Sequence, residues 1–319
     1  MEKLDEDEVE SLLPNGPGSV KAWIQTVEGL EAWEKNLNLG DAYLKTSAKS
    51  KLARARFTLG LLCLHNFMYD LAIELFEKAQ SDELTSSGRD YPMALWGSTA
   101  STTMILWQYS DCKKGKEYLK KIPVQRNWLT KMESAFLETG FALYPNDLSC
   151  SEDSDQFRRE KRFMTAMKNV MKRFPDEVEA KLFYGVSYAA TLGHKEFLWE
   201  DVEERRSLKS QKEIRLKQIR QLFGRMYKKH PTHSGIIHYV IHIFDIPDVF
   251  NEGNKKFLHR LIKPEDQARH AASLGIKASY DYLKIATSSC HGLHMPSHIF
   301  MRLGNWNMSL TSNLNSIKV

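Results

Sequence analysis

The sequence predicts an all-α fold in which antiparallel helical hairpins stack side by side into an α-α superhelix, a solenoid. Three observations carry this. Apolar residues recur at spacings of three and four along most of the chain. Strand signals are nearly absent, with no period-two run bounded by Asn-Gly or Asp-Gly turns, so no sheet is expected. Small residues followed by an aromatic recur at hairpin spacing, at Gly60, Ala72 and Phe76 and again at Gly185, Phe223 and Pro231.

The elements follow in order. Residues 1–18 are acidic and then Pro- and Gly-containing (Pro14-Asn15-Gly16-Pro17-Gly18), and are read as a mobile leader; residues 19–319 form the helical solenoid. Ser19 is placed to cap a helix whose Trp23, Val27, Leu30, Trp33 and Leu37 share one face, and Gly40 ends it. The clearest hairpin comes next: Leu59-Gly60 and Cys63, the turn Asn66-Phe67-Met68-Tyr69-Asp70, then Ala72, Phe76 and Ala79. Gly60 and Ala72 allow the helices to approach, and Phe76 fills the gap between them. Pro92 to Trp107 and Ser134 to Tyr144 supply further helices, and the polar stretch Ser149–Asp153 is a loop. Tyr184-Gly185 and Tyr188 open another hairpin whose second helix holds Phe223 and Met226, with the mixed-charge stretch Lys195–Arg220 as extra length. Leu303-Gly304-Asn305-Trp306 reads as a turn, with Met308–Val319 as the last helix. That helix has no following element to cover it, so the array is expected to lack its C-terminal continuation.

Composition narrows the function classes. Hydrophobic residues at 42% and charged residues at 27% are those of a folded chain rather than a disordered one. The net charge of +5 is a small difference between 45 basic and 40 acidic residues of mixed placement, which argues against nucleic acid as a partner. No apolar run reaches the roughly 18 residues that span a bilayer, and the N-terminus is acidic where a secretory signal is basic. The four cysteines, Cys63, Cys112, Cys150 and Cys290, are widely spaced with no CxxC pair, so reduced thiols and a cytoplasmic location are expected. Neither GxxxxGK[ST] nor GxGxxG occurs, so no nucleotide cofactor is expected. Cys290-His291 is not a nucleophile–base pair, because adjacent helical residues point different ways.

Histidine is where the sequence departs from the ordinary. Seven of the eleven histidines fall in two short motifs, one holding His230, His233, His238 and His242, the other His291, His294 and His298. Each motif contains an HxxxH pair, the spacing by which one helical face offers two imidazoles to a metal ion. The two pairs share a register. Pro231 closes one hairpin, so His238 and His242 occupy the fifth and ninth places of a helix starting near Ser234. Counting back from Gly304, His294 and His298 occupy the same places of a helix starting near Cys290. On adjacent helices the two pairs would converge on one point. Asp245 lies on the same face as His242, as a further ligand or as an acceptor for a ring N–H. His233 and His291 stand at the helix starts, where they close the site or cap it. His65, His194 and His259 are expected elsewhere. Pro296, between His294 and His298, threatens a kink that would splay that pair.

The run His233-x-Gly235-x-x-His238-Tyr239-x-x-His242-x-x-Asp245, followed by His291-x-x-His294-Met295-Pro296-Ser297-His298-Ile299-Phe300, resembles a histidine-rich subset of tetratricopeptide-repeat proteins. Met93-Ala94-Leu95-Trp96-Gly97 resembles their second repeat, and the resemblance spans residues 55 to 319. Many members have Pro where this chain has Ser234 and a shorter segment in place of Lys195–Arg220. The resemblance implies a concave groove into which the histidine places point, and, for the wider superfamily, protein–protein interaction through that groove. Peptide clamps of the superfamily use Lys and Asn where this chain has His238 and His242. Two readings therefore stand: a solenoid whose histidine-lined groove binds a transition metal (Zn, Fe, Cu or Ni) and is open to catalysis, or a scaffold that holds a peptide or acidic partner there. A histidine-plus-carboxylate set excludes Ca and Mg as preferred ions. The sequence names no reaction.

Overall fold

A computed structural model of the chain describes residues 39–42, 44–151, 153–192, 202–246 and 264–319, with Val27, Gly29, Leu30, Glu31 and Lys35. The acidic leader, Ser19, Trp23, Trp33 and Leu37, His194, His259 and the first part of the mixed-charge stretch lie outside the described residues. The protein is predominantly helical. The helices are α1 (Lys51–His65), α2 (Tyr69–Ser87), α3 (Pro92–Ser101), α4 (Cys112–Lys120), α5 (Lys131–Leu143), α6 (Asp153–Arg173), α7 (Val178–Thr191), α8 (Val202–Lys229), α9 (Ser234–Asp245), α10 (Pro264–Ile285), α11 (Cys290–His294), α12 (Pro296–Arg302) and α13 (Trp306–Ser316).

Two sequence expectations are corrected here. The helix read over Pro92 to Trp107 ends at Ser101, and a small sheet follows it: β1 (Thr103–Met104) pairs antiparallel with β2 (Tyr109–Ser110) around a 3-10 turn at Ile105–Trp107. Gln108, at φ +54°, is in the left-handed region and turns the chain back. The second correction concerns the cysteines. Cys112, at the start of α4, and Cys150, in the bend before α6, form a disulfide with Cα atoms 5.4 Å apart. Their 38-residue separation gave no hint of this, because the α5 excursion returns the chain to its starting point.

Packing follows chain order: α1 on α2, α2 on α3, α5 on α6, α6 on α7, α7 on α8, α8 on α9 and α9 on α10. The glycine–aromatic pairs make these contacts close. A Cβ on Gly60 would lie 2.8 Å from the Phe76 ring and one on Gly97 2.6 Å from the same ring, so Phe76 of α2 is sandwiched between α1 and α3. A Cβ on Gly185 would lie 2.4 Å from the Phe223 ring, which repeats the arrangement between α7 and α8. Residues 44–50 are tied down by two buried carboxylates. Glu83 accepts from the Lys49 and Ser50 amides, and Glu133 accepts from the Ser47 amide and hydroxyl while closing a capping box with Thr130.

One long-range contact sets up the site: α1 packs on α9. Gly40 (φ +84°) brings Asp41 beside the start of α9, where the Asp41 amide donates to Thr232 O and its carbonyl accepts from the Ser234 amide, both at 3.1 Å. That amide is one of the donors a helix start leaves without an internal partner. Asn66, fully buried at the end of α1, ties four segments together. Its Nδ2 donates to Leu62 O (2.8 Å), Leu39 O (3.3 Å) and Ser234 Oγ (2.7 Å), and its Oδ1 accepts from the Tyr282 hydroxyl of α10 (2.8 Å). Its own carbonyl accepts from Ser289 Oγ, the N-cap of α11. At the other end, α13 leaves Trp306, Leu310 and Leu314 exposed. Among the described residues no helix is long and apolar enough to cross a membrane.

Candidate metal centre

Helix α9 presents His238 and His242 on one face, as the four-residue spacing requires. His238 is fully buried and His242 partly so. Their Nε2 atoms are 3.1 Å apart. The third member comes from α11: His291 Nε2 lies 3.1 Å from His238 Nε2. Ligand atoms of His238, His242 and His291 all fall within 4.8 Å of one another, a group that can hold a metal ion. Two nitrogens bound to one tetrahedral ion at about 2.1 Å sit about 3.4 Å apart, close to these spacings.

The second pair stays together despite Pro296. Met295 keeps helical backbone (φ −52°, ψ −42°), and Pro296 takes the first position of α12, where its missing N–H costs nothing. His294 Nε2 and His298 Nε2 are 3.0 Å apart. The sequence placed His238, His242, His294 and His298 around one point. In the structure His291 joins the α9 pair, and the His294–His298 pair lies beside them, with the His291 and His294 ring centroids 6.3 Å apart.

Outer hydrogen bonds assign the protons. A backbone carbonyl only accepts, so His238 Nδ1–H donates to His65 O at 2.6 Å, which leaves Nε2 with its lone pair aimed inward. His298 Nδ1–H donates to the Asp245 carboxylate at 3.1 Å, and the other oxygen of that carboxylate accepts from Arg302 Nε at 2.9 Å. Asn313 Nδ2 donates to Ser309 O, which fixes the amide so that its Oδ1 accepts from His294 Nδ1–H at 2.6 Å. An imidazole held by its outer N–H to a carbonyl or carboxylate is the usual support of a metal-ligating histidine. Asp245 therefore sits behind His298 as an acceptor.

The electrostatics favour neutral rings. Burial, then the neighbouring imidazoles His242 and His291, hold His238 well below the ordinary range. Burial and then His291 push His242 down to about 3, against the opposing pull of Asp245. Burial, then His294 and His298, push His291 down to about 4. Neutral imidazole is the form that ligates metal. For Asp245 burial raises the pKa, but the bonds from His298 and Arg302 outweigh it and hold the carboxyl below its usual value.

His233 lies apart from the cluster. As N-cap of α9 it turns inward, and its Nε2 is 3.0 Å from Glu179 Oε1 of α7. The other oxygen of this fully buried carboxylate is 2.9 Å from His65 Nε2. Burial pushes Glu179 up, but His65 and His233 outweigh it and hold the carboxyl well below the carboxylate range. His65, expected elsewhere, thus stands directly behind the cluster: its ring meets Glu179 and its carbonyl orients His238. Phe67 forms the wall. At φ +60°, a conformation that costs a non-glycine residue on the order of 1 kcal/mol or more, its ring stacks on His291 (4.8 Å) and meets the edge of His238 (4.4 Å). Trp107, half exposed, closes edge-on against His291 at 5.6 Å. No sequence signal marks His65, Phe67, Trp107 or Glu179 for this role, because each reaches the cluster through tertiary packing alone. No family model matches the chain, and no curated protein matches it.

Proposed function

We propose that the chain is a tetratricopeptide-like helical array whose concave side binds a transition metal ion through His238, His242 and His291. The observation that carries this is His238: its Nδ1–H is committed to the His65 carbonyl, and its bare Nε2 lies 3.1 Å from two other imidazole nitrogens. Three imidazoles suit Zn, Cu, Fe or Ni and leave a further coordination position for water or substrate, the pattern of catalytic rather than purely structural sites. A metal held there supplies Lewis-acid chemistry, polarising a carbonyl or phosphoryl oxygen or activating a water molecule. The His65 carbonyl orients the His238 ring, and Phe67 and Trp107 exclude water on one side. The test is elemental analysis and isothermal titration with Zn²⁺ on untagged protein. Tight binding that His238→Ala abolishes, with helical content retained, supports the reading. Metal-free protein that takes up no ion on reconstitution refutes it and favours a groove that holds a peptide or acidic partner.

A further inference from the structure

Beside the three-histidine group, the His294–His298 pair has an arrangement that calls for a cation of its own. Both outer nitrogens are committed as donors, His294 Nδ1–H to Asn313 Oδ1 and His298 Nδ1–H to Asp245. In neutral rings both Nε2 atoms therefore carry lone pairs, and these face each other at 3.0 Å. Two acceptors in contact repel unless something positive lies between them. The spacing is near that of two ligands sharing one ion, which at about 2.1 Å each sit about 3.4 Å apart. The pair is also ready-made as a ligand set. Asn313 is itself fixed by Ser309 O, and Asp245 is fixed by Arg302.

The three-histidine group closes without this pair. Ligand atoms of His238, His242 and His291 fall within 4.8 Å of one another, and His291 turns its Nε2 to His238 while His294 turns its own to His298. Resting on the metal reading above, we infer that the cluster is a two-ion centre: one ion on His238, His242 and His291, and a second on His294 and His298, whose remaining positions are open to water or to an anionic oxygen ligand. An ion on two imidazoles keeps its other positions for oxygen donors, so the ligand class implied is an oxyanion, for which inorganic phosphate is the probe.

The experiment is Co²⁺ titration of the untagged, metal-stripped full chain, followed by visible absorption and by metal content after gel filtration. Two Co²⁺ per chain are expected for the unaltered protein, one for His294→Ala/His298→Ala, and inorganic phosphate should perturb the spectrum of the two-ion form only. One Co²⁺ in the unaltered protein, retained by the double variant, overturns the second ion and leaves a proton bridging the pair. One Co²⁺ lost on altering either pair also overturns it and means a single shared ion. No Co²⁺ at all in the unaltered protein overturns the metal reading itself. The stoichiometry of the unaltered chain alone decides whether the second ion exists, even where a variant fails to fold.

Discussion

Replacing Asn66 by Ala should damage stability and site together. The side chain makes four buried hydrogen bonds, to Leu62 O, Leu39 O, Ser234 Oγ and from the Tyr282 hydroxyl. The two amide hydrogens are shared among three acceptors, so at a net value of about 1 kcal/mol per bond the loss costs about 3 kcal/mol, and the stranded Tyr282 hydroxyl raises that figure. Asn66→Asp is expected to be at least as harmful, because it sets a carboxylate against two carbonyl oxygens. Urea unfolding of metal-free protein, followed by far-UV circular dichroism, reads the stability. Zn²⁺ titration reads the site, where affinity should fall about tenfold or more because the neighbouring His65 carbonyl no longer holds the His238 ring in place. A loss under about 1 kcal/mol with unchanged affinity would refute the assignment of the Asn66 side chain as the tie between α1, α9 and α10.

The other expectations are independent of that one. Glu179→Gln should cost about 3 kcal/mol at pH 7, since two hydrogen bonds to a charged acceptor are altered. Because the folded pKa of Glu179 is lowered, its contribution is present above the unfolded value and lost as pH falls through the folded one, so the gap between variant and parent should narrow in acid; urea midpoints at pH 7 and in acid check this. Metal-free protein as a whole should lose stability as pH drops below about 6.5, since the unfolded chain then takes up protons that His242 and His291 refuse until about 3 and about 4. Thermal melts across that range should be flatter for His242→Asn/His291→Asn. Asp245→Asn should weaken Co²⁺ binding about 10- to 100-fold through loss of the charged acceptor behind His298, with little change in melting temperature. Cys112→Ser/Cys150→Ser should lower stability by about 4 kcal/mol on loop-closure grounds, measured by urea unfolding without reductant.

Local pattern carried much of the architecture. The start of α9 at Ser234 and the start of α11 at Cys290 follow from Pro231 and Gly304, whose effects act within a few residues. Gly60 against Phe76 and Gly185 against Phe223 were legible because hairpin packing fixes their spacing, whereas Gly97 against the far side of Phe76 was not. Both HxxxH pairs were legible because helical geometry alone brings their rings together. His291 reads as a residue that either closes the site or caps the helix, and only the relative placement of α9 and α11 turns its Nε2 onto His238. The kink expected at Pro296 did not separate the second pair, since Met295 keeps helical backbone on its N-terminal side. The disulfide was invisible because spacing in sequence says nothing of distance.

The contribution of residues 65–67 changes what sort of object this protein is. Helical-repeat proteins are usually divisible: blocks can be cut away or exchanged, and what is left keeps its local properties. Here every candidate ligand lies between His238 and His298, yet the carbonyl that orients His238 and the ring that walls off the imidazoles come from the loop of the first described hairpin. A C-terminal piece carrying all five imidazoles would keep the donors and lose their alignment. The centre is thus not portable, and grafting it onto another scaffold would mean transplanting both ends of the chain.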